Sequence, residues 1–476
     1  MAAHAAEAAG DWWLTEGATP ARVDALLRAA LAEAAECPLQ RVPAAEPRRP
    51  PPPATAHYTT ALPLRMAGAL GRPASQLAEA AVARLLTRRG VAGARVERGG
   101  FIAVDAAPQA RAAMVATAAA DGTGFLCGYL RYAGRLGATT AATGAAVGAE
   151  SAEEAAIGAP GRAPGSRLSA LDAAATVEEA RHLAREDARR RMRDAAEPAE
   201  PAADAREPAA APARTDGSAD GGAGGASDPG RPHADSSGAS SAAAARGEPW
   251  RDPWMDRGGG ETPAARLLAA VGEASARVAF CRSASERPRP GEVTGPGLPA
   301  VPTAEFPGAW ALGIGANPAF AVRYAHAHAA STLRWVREAQ GAAAWVPAHT
   351  PPAHSAPRST GAGPAPVPAA GAPRPRAALL APPDAAALAG TLFDGPLLLH
   401  AAVRRSEPHM LVRYLEGVAA AYHEWRESGG FTAETTGEPG GGASASATDR
   451  LLLCAAAAGV LHAGLSLLGV SAPTRL

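Results

Sequence analysis

"NPAFAVRYAHAHAASTLRW", residues 317–335, gathers Phe320, Tyr324, Trp335, two histidines and two arginines, while the tracts around it are rich in Ala, Pro, Gly and Ser. Asn317 before Pro318 is an N-cap followed by a first-turn proline, which predicts a helix starting there. On a 3.6-residue period Phe320, Tyr324, His328 and Trp335 share one stripe, and Val322, Ala325, Ala329, Leu333 and Val336 share another. Both stripes are expected to meet protein, which makes this the central helix of a bundle. His326 and His328 are two residues apart, so their rings point to different sides, and His328 reads as a packed, hydrogen-bonded histidine rather than a metal ligand.

Two further helices are predicted downstream. "SEPHMLVRYLEGVAAAYHEWRESGG" (406–430) opens at Ser406–Pro408, closes at Gly429-Gly430, and carries a stripe of Leu411, Tyr414, Leu415, Val418, Tyr422 and Trp425. "TDRLLLCAAAAGVLHAGLSLLGV" (448–470) starts after Thr448 and is terminated by Gly469 with Pro473 beyond. Three helices with apolar stripes make a bundle.

Toward the N-terminus the pattern is α+β. Thr19-Pro20 opens a helix with Val23, Leu26, Leu27, Ala30 and Leu31 on one face. A second helix is expected from about Tyr58 to Leu70, stopped by Gly71. A third begins at Pro73, carries Leu77, Val82, Leu85 and Leu86, and ends near Gly90. "ARVERGGFIAVDA" (94–106) holds two short β-leaning runs, Ala94–Glu97 and Phe101–Val104, around Gly99-Gly100, a hairpin signal.

Between these regions the chain changes character. From Ala195 to Pro249 there is no Val, Leu, Ile, Met, Phe or Tyr, so nothing offsets the entropy of ordering it. Gly (52) and Pro (44) make up a fifth of the sequence and aromatics only 4%, which limits how much of it can build a core. The expected organisation is an α+β domain over 16–105, a weakly defined helical region over 106–194, a disordered linker over 195–249, and an all-α helical bundle over 264–476 with disordered insertions at about 342–376 and 433–447. Within the second region, residues 176–194 form a charged helix with pairs such as Glu178–His182, expected to present a solvated face; its arginines could otherwise touch RNA.

Composition and spacing exclude several chemistries. All 46 positive charges are arginine, so reactions needing a lysine amine, and a Walker-type phosphate loop, are excluded. Cys37, Cys127, Cys281 and Cys454 lie far apart, against a zinc site or a disulfide framework and for a reducing compartment. No metal or cofactor is expected. No H-x-x-x-H or G-x-S-x-G occurs, and the glycine clusters at 221–227 and 258–263 follow no predicted strand. No signal-peptide pattern and no long uninterrupted apolar run is present, which gives the expectation of a cytoplasmic protein without membrane contact.

Residue by residue, the helices resemble those of arginyl-tRNA synthetases. "NPAFAVRYAHAH" (317–328) is similar to the segment Asn-Pro-x-x-x-x-Gln-Tyr-Ala-His-Ala-Arg that opens the family's DALR-type anticodon-binding domain, matching at Asn317, Pro318, Tyr324, Ala325, His326 and Ala327. "EPHMLVRYLEGVAAAYHEWRES" (407–428) looks like its second helix, and "LLLCAAAAGVLHAGLSLLGVSAPTRL" (451–476) like its C-terminal end. The stretch from "HYTTALPLRMAGALGRPASQ" (57–76) to Gly100-Phe101-Ile102 resembles the family's additional N-terminal domain at Tyr58, Thr60, Gly100, Phe101 and Ile102, with Ala61 where the family has Asn.

The resemblance implies a tRNA partner, with the N-terminal domain on the elbow and the helical domain on the anticodon loop. The RNA-binding residues it implies are Tyr58, Arg323, Tyr324, His326, His328, His409, Arg413, Tyr414 and Leu476, the last standing where the family usually ends in Met. It also implies a class I Rossmann catalytic domain with His-x-Gly-His and Lys-Met-Ser-Lys motifs. Neither motif occurs; residues 254–283 keep at most a trace of the second, at Met255, Arg257, Val271, Gly272 and Arg277, while Ala274 and Val278 replace the family's Asp and Tyr. These departures imply a paralogue that binds tRNA without catalysis. Two alternatives stay open: a protein-interaction module, bound to a synthetase or another cytosolic protein, and an arginine–tRNA ligase completed by a separate catalytic subunit. Charge bears on the choice: residues 16–105 hold twelve Arg against eight acids, whereas 378–476 hold six against nine.

Overall fold

A computed structural model describes residues 17–51, 56–145, 171, 173–197, 262–311, 315–340, 377–430 and 445–475. Nearly all of the linker expected over 195–249, most of the insertions expected at 342–376 and 433–447, and Leu476 lie outside the described residues. The second insertion is shorter than expected at its end, because a helix begins at Ala445.

The N-terminal elements are helix α1 (Pro20–Ala35), strand β1 (Tyr58–Thr60), helices α2 (Leu62–Leu70) and α3 (Ala74–Leu85), and strands β2 (Val91–Glu97) and β3 (Phe101–Ala106). The hairpin forms as the sequence predicts, with Glu97 opposite Phe101 and both Gly99 and Gly100 at positive φ. Tyr58 is a correction. It pairs with Val104 in an antiparallel sheet of order β1-β3-β2, and the helix begins only after Ala61. Alternation decides it: Tyr58 and Thr60 point into the core on one face of the strand, a period-2 pattern too short to read from three residues.

Next come α4 (Pro108–Ala120), α5 (Gly122–Ala145) and α6 (Val177–Asp194). The region expected to be weakly defined thus contains three helices, and the first two are structural. α4 buries Ala110, Ala112, Ala113, Met114, Val115, Ala118 and Ala119, and α4 and α5 both pack on the helix that ends the described chain. The expectation of a solvated α6 is also corrected. Arg181 and Arg185 are buried, and Arg185 donates to the carbonyls of Phe280 (3.1 Å) and Ser283 (2.7 Å) and to Glu286 (2.8 Å). Its guanidinium serves carbonyls at the end of the helix Glu273–Arg282, where the helical ladder runs out of donors.

The remaining helices are α7 (Pro263–Val271), α8 (Glu273–Arg282), α9 (Pro318–Gln340), α10 (Pro383–Arg405), α11 (Pro408–Trp425) and α12 (Ala445–Leu467), with a small hairpin of β4 (Val293–Gly295) and β5 (Leu298–Pro299). The central helix is α12 rather than α9. Leu451 through Ala458, Val460 and Leu461 are all buried, so α12 is apolar on every side and is enclosed by α4, α5, α9 and α11. Both α10 and α12 are long and apolar enough to cross a membrane; the apolar stretch of α12 is 83% buried inside the protein.

One continuous apolar cluster runs from Ala18 through Val104, Met114 and Leu126 to Phe393, Leu453 and Val470. The N-terminal α+β unit therefore docks directly on the helical part. Tyr58 stacks on Phe393 of α10 with ring centroids 4.1 Å apart and planes 25° apart, and Arg49 reaches Asp394 one residue on. Three of the four cysteines, Cys127, Cys281 and Cys454, are buried, and all four are free thiols.

Candidate functional site

The stretch at 317–335 builds the site. Asn317 is buried and works in two directions: its side-chain oxygen accepts from the amides of Ala319 (3.0 Å) and Phe320 (3.4 Å), and its amide nitrogen donates to Ser275 (2.9 Å) and to the Trp310 carbonyl (3.0 Å). The cap thus fixes both the start of α9 and its angle against α8. Val322, Ala325, Ala329, Leu333 and Val336 are buried as expected.

The aromatic stripe is not. Phe320 is 39% and Trp335 48% exposed, and between them Tyr324 and His328 are half-buried. Phe320 and Tyr324 lie nearly parallel, with centroids 5.9 Å apart and planes at 14°. His423 of α11 also stacks with Tyr324, at 5.4 Å and 20°, and the Arg426 guanidinium carbon sits 6.0 Å from the Tyr324 ring centroid. His328 shares a 2.9 Å hydrogen bond between Nδ1 and the Tyr422 hydroxyl, which holds its ring against the same column. A row of near-parallel π faces, open at Phe320, with one cation beside it, matches what stacks unpaired bases in single-stranded nucleic acid.

The surroundings of both histidines in this column disfavour the imidazolium form. Burial pulls the pKa of His328 below its ordinary value, with Arg426 and His423 adding to the shift; burial and then Arg426 do the same to His423. Arg426 supplies the positive charge, screened on one side by Glu427 at 3.4 Å.

The residues implied by the resemblance fall in three places. Tyr324 and His328 are in the column. Tyr58, Arg323, His326 and Tyr414 are in the core: each is at most 5% exposed, and none offers a ring face or charged tip to solvent. His326 donates from Nδ1 to the Pro473 carbonyl at 2.8 Å, tying α9 to the segment after α12. Tyr414 has a specific structural task. Pro396 inside α10 has no N–H to give the Leu392 carbonyl four residues back, and the Tyr414 hydroxyl donates to that carbonyl at 3.4 Å. Gly395 makes the space, since a Cβ there would lie 2.2 Å from the tyrosine oxygen. Arg413 has its contacts elsewhere, donating to the Thr294 carbonyl (2.7 Å) and to Glu416 (3.3 Å), and His409 is half-buried in the first turn of α11, its pKa lowered by burial. Leu476 lies outside the described residues.

Sequence reasoning misses Phe320, His423 and Arg426 as site residues. Phe320 is visible on the stripe but reads as core. His423 and Arg426 reach the column from another helix, about a hundred residues on, and no local pattern announces that. Among the described residues no group of three or more His, Cys, Asp or Glu is placed to hold a metal ion.

Residues 370–476 match the DALR anticodon binding domain, a module whose described part here is α10, α11 and α12. An arginine–tRNA ligase of Acidovorax ebreus is 33% identical over 160 residues, 34% of this chain and 22% of that protein. One of Micrococcus luteus is 34% identical over 162 residues (34% and 24%), and one of Frankia alni 34% over 160 residues (34% and 23%). The chain therefore spans about a quarter or less of the length of the curated relatives it matches. No solved structure matches.

Proposed function

We propose that this chain is a non-catalytic tRNA-binding protein that takes unpaired bases of an anticodon loop onto the Phe320–Tyr324–His423 column. The observation that carries the reading is that column: near-parallel rings, open at one end, beside Arg426, and adjoining a region that matches an anticodon binding domain. The absence of lysine from all 476 residues supports the non-catalytic part, since the family's signature loop depends on lysine to stabilise charge that develops on ATP. Arginine tRNA is the first ligand to test, and the cytoplasm the expected compartment.

Full-length protein would be titrated with an arginine anticodon stem-loop and a non-cognate one, at low and physiological salt. Base–aromatic stacking contributes roughly 1–3 kcal/mol per base, so Tyr324→Ala should weaken binding by about tenfold or more while leaving the salt slope unchanged. Binding that Tyr324→Ala does not alter would sink the proposal, as would equal binding to both loops that vanishes with salt. In that event a protein partner becomes the better reading, supported by Phe306 and Val293, which are 80% and 62% exposed on the segment between α8 and α9.

A further inference from the structure

A second site lies away from the aromatic column, where β1, α4 and α10 meet. A cavity of about 170 Å³ is lined by Arg49, His57, Tyr58, Arg111, Met114 and Gly390. We infer that this cavity binds a phosphate group, with Arg111 as its principal ligand and Arg49 as the second.

The argument begins with Arg111. It is half-buried on α4, and no carboxylate pairs with it among the described residues. Its nearest partners are neutral: Nη1 lies 3.0 Å from His57 Nε2, and the Tyr58 hydroxyl lies against the same guanidinium. Because the guanidinium can only donate, His57 Nε2 must accept, which puts the imidazole proton on Nδ1, the side facing Asp105 at 3.6 Å. Burial, followed by Arg111 itself, holds the His57 pKa below its ordinary value, so the ring stays a neutral acceptor. His57 is thus a positioning residue that occupies one N–H of Arg111. The rest of the fork has no anionic partner among the described residues, and a half-buried charge left in that state is expected to have an anion from solution.

Arg49 is placed to assist. Its Nε (2.8 Å) and Nη2 (2.5 Å) are both taken by Asp394, which leaves Nη1 uncommitted. That nitrogen rests against Gly390 of α10, where an added Cβ would lie 2.5 Å from it. A glycine inside a long helix is unfavourable relative to alanine, so its presence under an arginine nitrogen fits a requirement to seat that nitrogen at the cavity wall. Arg49 is balanced by Asp394 and Arg111 is not, so the cavity has room for one net negative charge.

Size selects the ligand class. A cavity of about 170 Å³ falls short of the ~300 Å³ at which pockets take whole drug-sized molecules, yet it holds several waters at ~30 Å³ each. It fits a tetrahedral oxyanion and not a nucleoside with its base. Paired guanidinium groups are the usual partners of such an oxyanion. The phosphate could come free in solution or from a ribose-phosphate backbone, and the experiment separates the two.

The probe is inorganic phosphate, titrated into the full chain with sodium chloride of equal ionic strength as control. Wild type should show a saturable rise in unfolding midpoint. Arg111→Gln should lose about tenfold or more in apparent affinity, and Arg111→Lys, which keeps the charge, should retain part of it. A rise that fails to saturate, or that is the same in Arg111→Gln, is a general salting effect and overturns the inference. Should the glutamine variant fail to fold, the ³¹P linewidth of inorganic phosphate with wild-type protein decides: broadening that excess sulfate reverses supports the site, and an unchanged line refutes it. Competition by an abasic ribose-phosphate oligomer would assign the site to nucleic-acid backbone, and its absence alongside ³¹P broadening to free phosphate. The result is independent of the anticodon-loop proposal, because Tyr324→Ala leaves this cavity intact.

Discussion

Replacing Phe393 by Ala tests whether the N-terminal unit and the helical part are one cooperative structure. Phe393 is fully buried on α10, and its ring lies 4.1 Å from that of Tyr58 on β1. Truncating a buried phenylalanine costs ~3–5 kcal/mol, of which an aromatic pair of this geometry contributes about 0.5–1.5 kcal/mol. Against a total stability of about 5–15 kcal/mol, that is a large fraction. Urea unfolding of the full chain would be followed by far-UV circular dichroism and by the emission of tryptophans, of which Trp310 and Trp425 are buried in the helical part. If the core is continuous, both probes shift together, and the cycle with Tyr58→Leu returns a coupling of about 0.5–1.5 kcal/mol. Two separate transitions, with the tryptophan signal unmoved by Phe393→Ala, would refute the argument. So would a loss below about 1 kcal/mol, outside the range for a buried ring.

Two further outcomes are expected. Tyr414→Phe should lower stability by about 0.5–1.5 kcal/mol, the value of one hydrogen bond, and leave RNA affinity unchanged; weakened RNA binding at unchanged stability would return Tyr414 to the interface. Acidification should destabilise the protein: His57, His328, His400, His409, His423 and His462 are all held below 6.5, in each case chiefly by burial. The unfolded chain takes up these protons first, so stability is complete above about pH 6.5 and declines as pH falls through the window beneath it. The carboxyls of Asp24 and Asp394, raised chiefly by burial, act in the opposite sense. A urea midpoint that stays level or rises between about pH 7.5 and about pH 5.5 would contradict the assignment.

How far the sequence can be read depends on how much contrast each segment carries. The β2–β3 hairpin and the starts of α9 and α11 are legible because caps, prolines and glycines mark chain direction locally. α4 is not, because its buried face is mostly alanine, and alanine provides little difference between the inner and outer sides of a helix. α5 buries Phe125, Leu126, Tyr129 and Leu130, but the glycines interleaved with them weaken the helical signal. α6 misleads for another reason. Its arginines look like a solvated face, and it takes the carbonyls of Phe280, Ser283, Ser285 and Glu286 and the Glu286 carboxylate, far along the chain, to explain why Arg181 and Arg185 are inside. The column on α9 is half legible: Tyr324 and His328 emerge through resemblance, while Phe320 reads as core and the partners on α11 lie beyond any local pattern.

The enclosure of α12 has a consequence for how the protein comes to be made. α4 and α5 leave the ribosome long before the helix that covers them, with the low-complexity tracts synthesised in between. Through that interval their apolar faces have no native partner, and closure must span most of the chain. The entropic cost of so long a loop rises only slowly with its length, but contacts this distant in sequence form late. The nascent chain therefore passes through a stage with exposed apolar helix surface, where aggregation competes with folding and chaperone binding would count. The alanine-rich face of α4, which exposes less apolar area per residue than a leucine-rich one, softens that exposure, whereas α5 presents Phe125, Leu126, Tyr129 and Leu130.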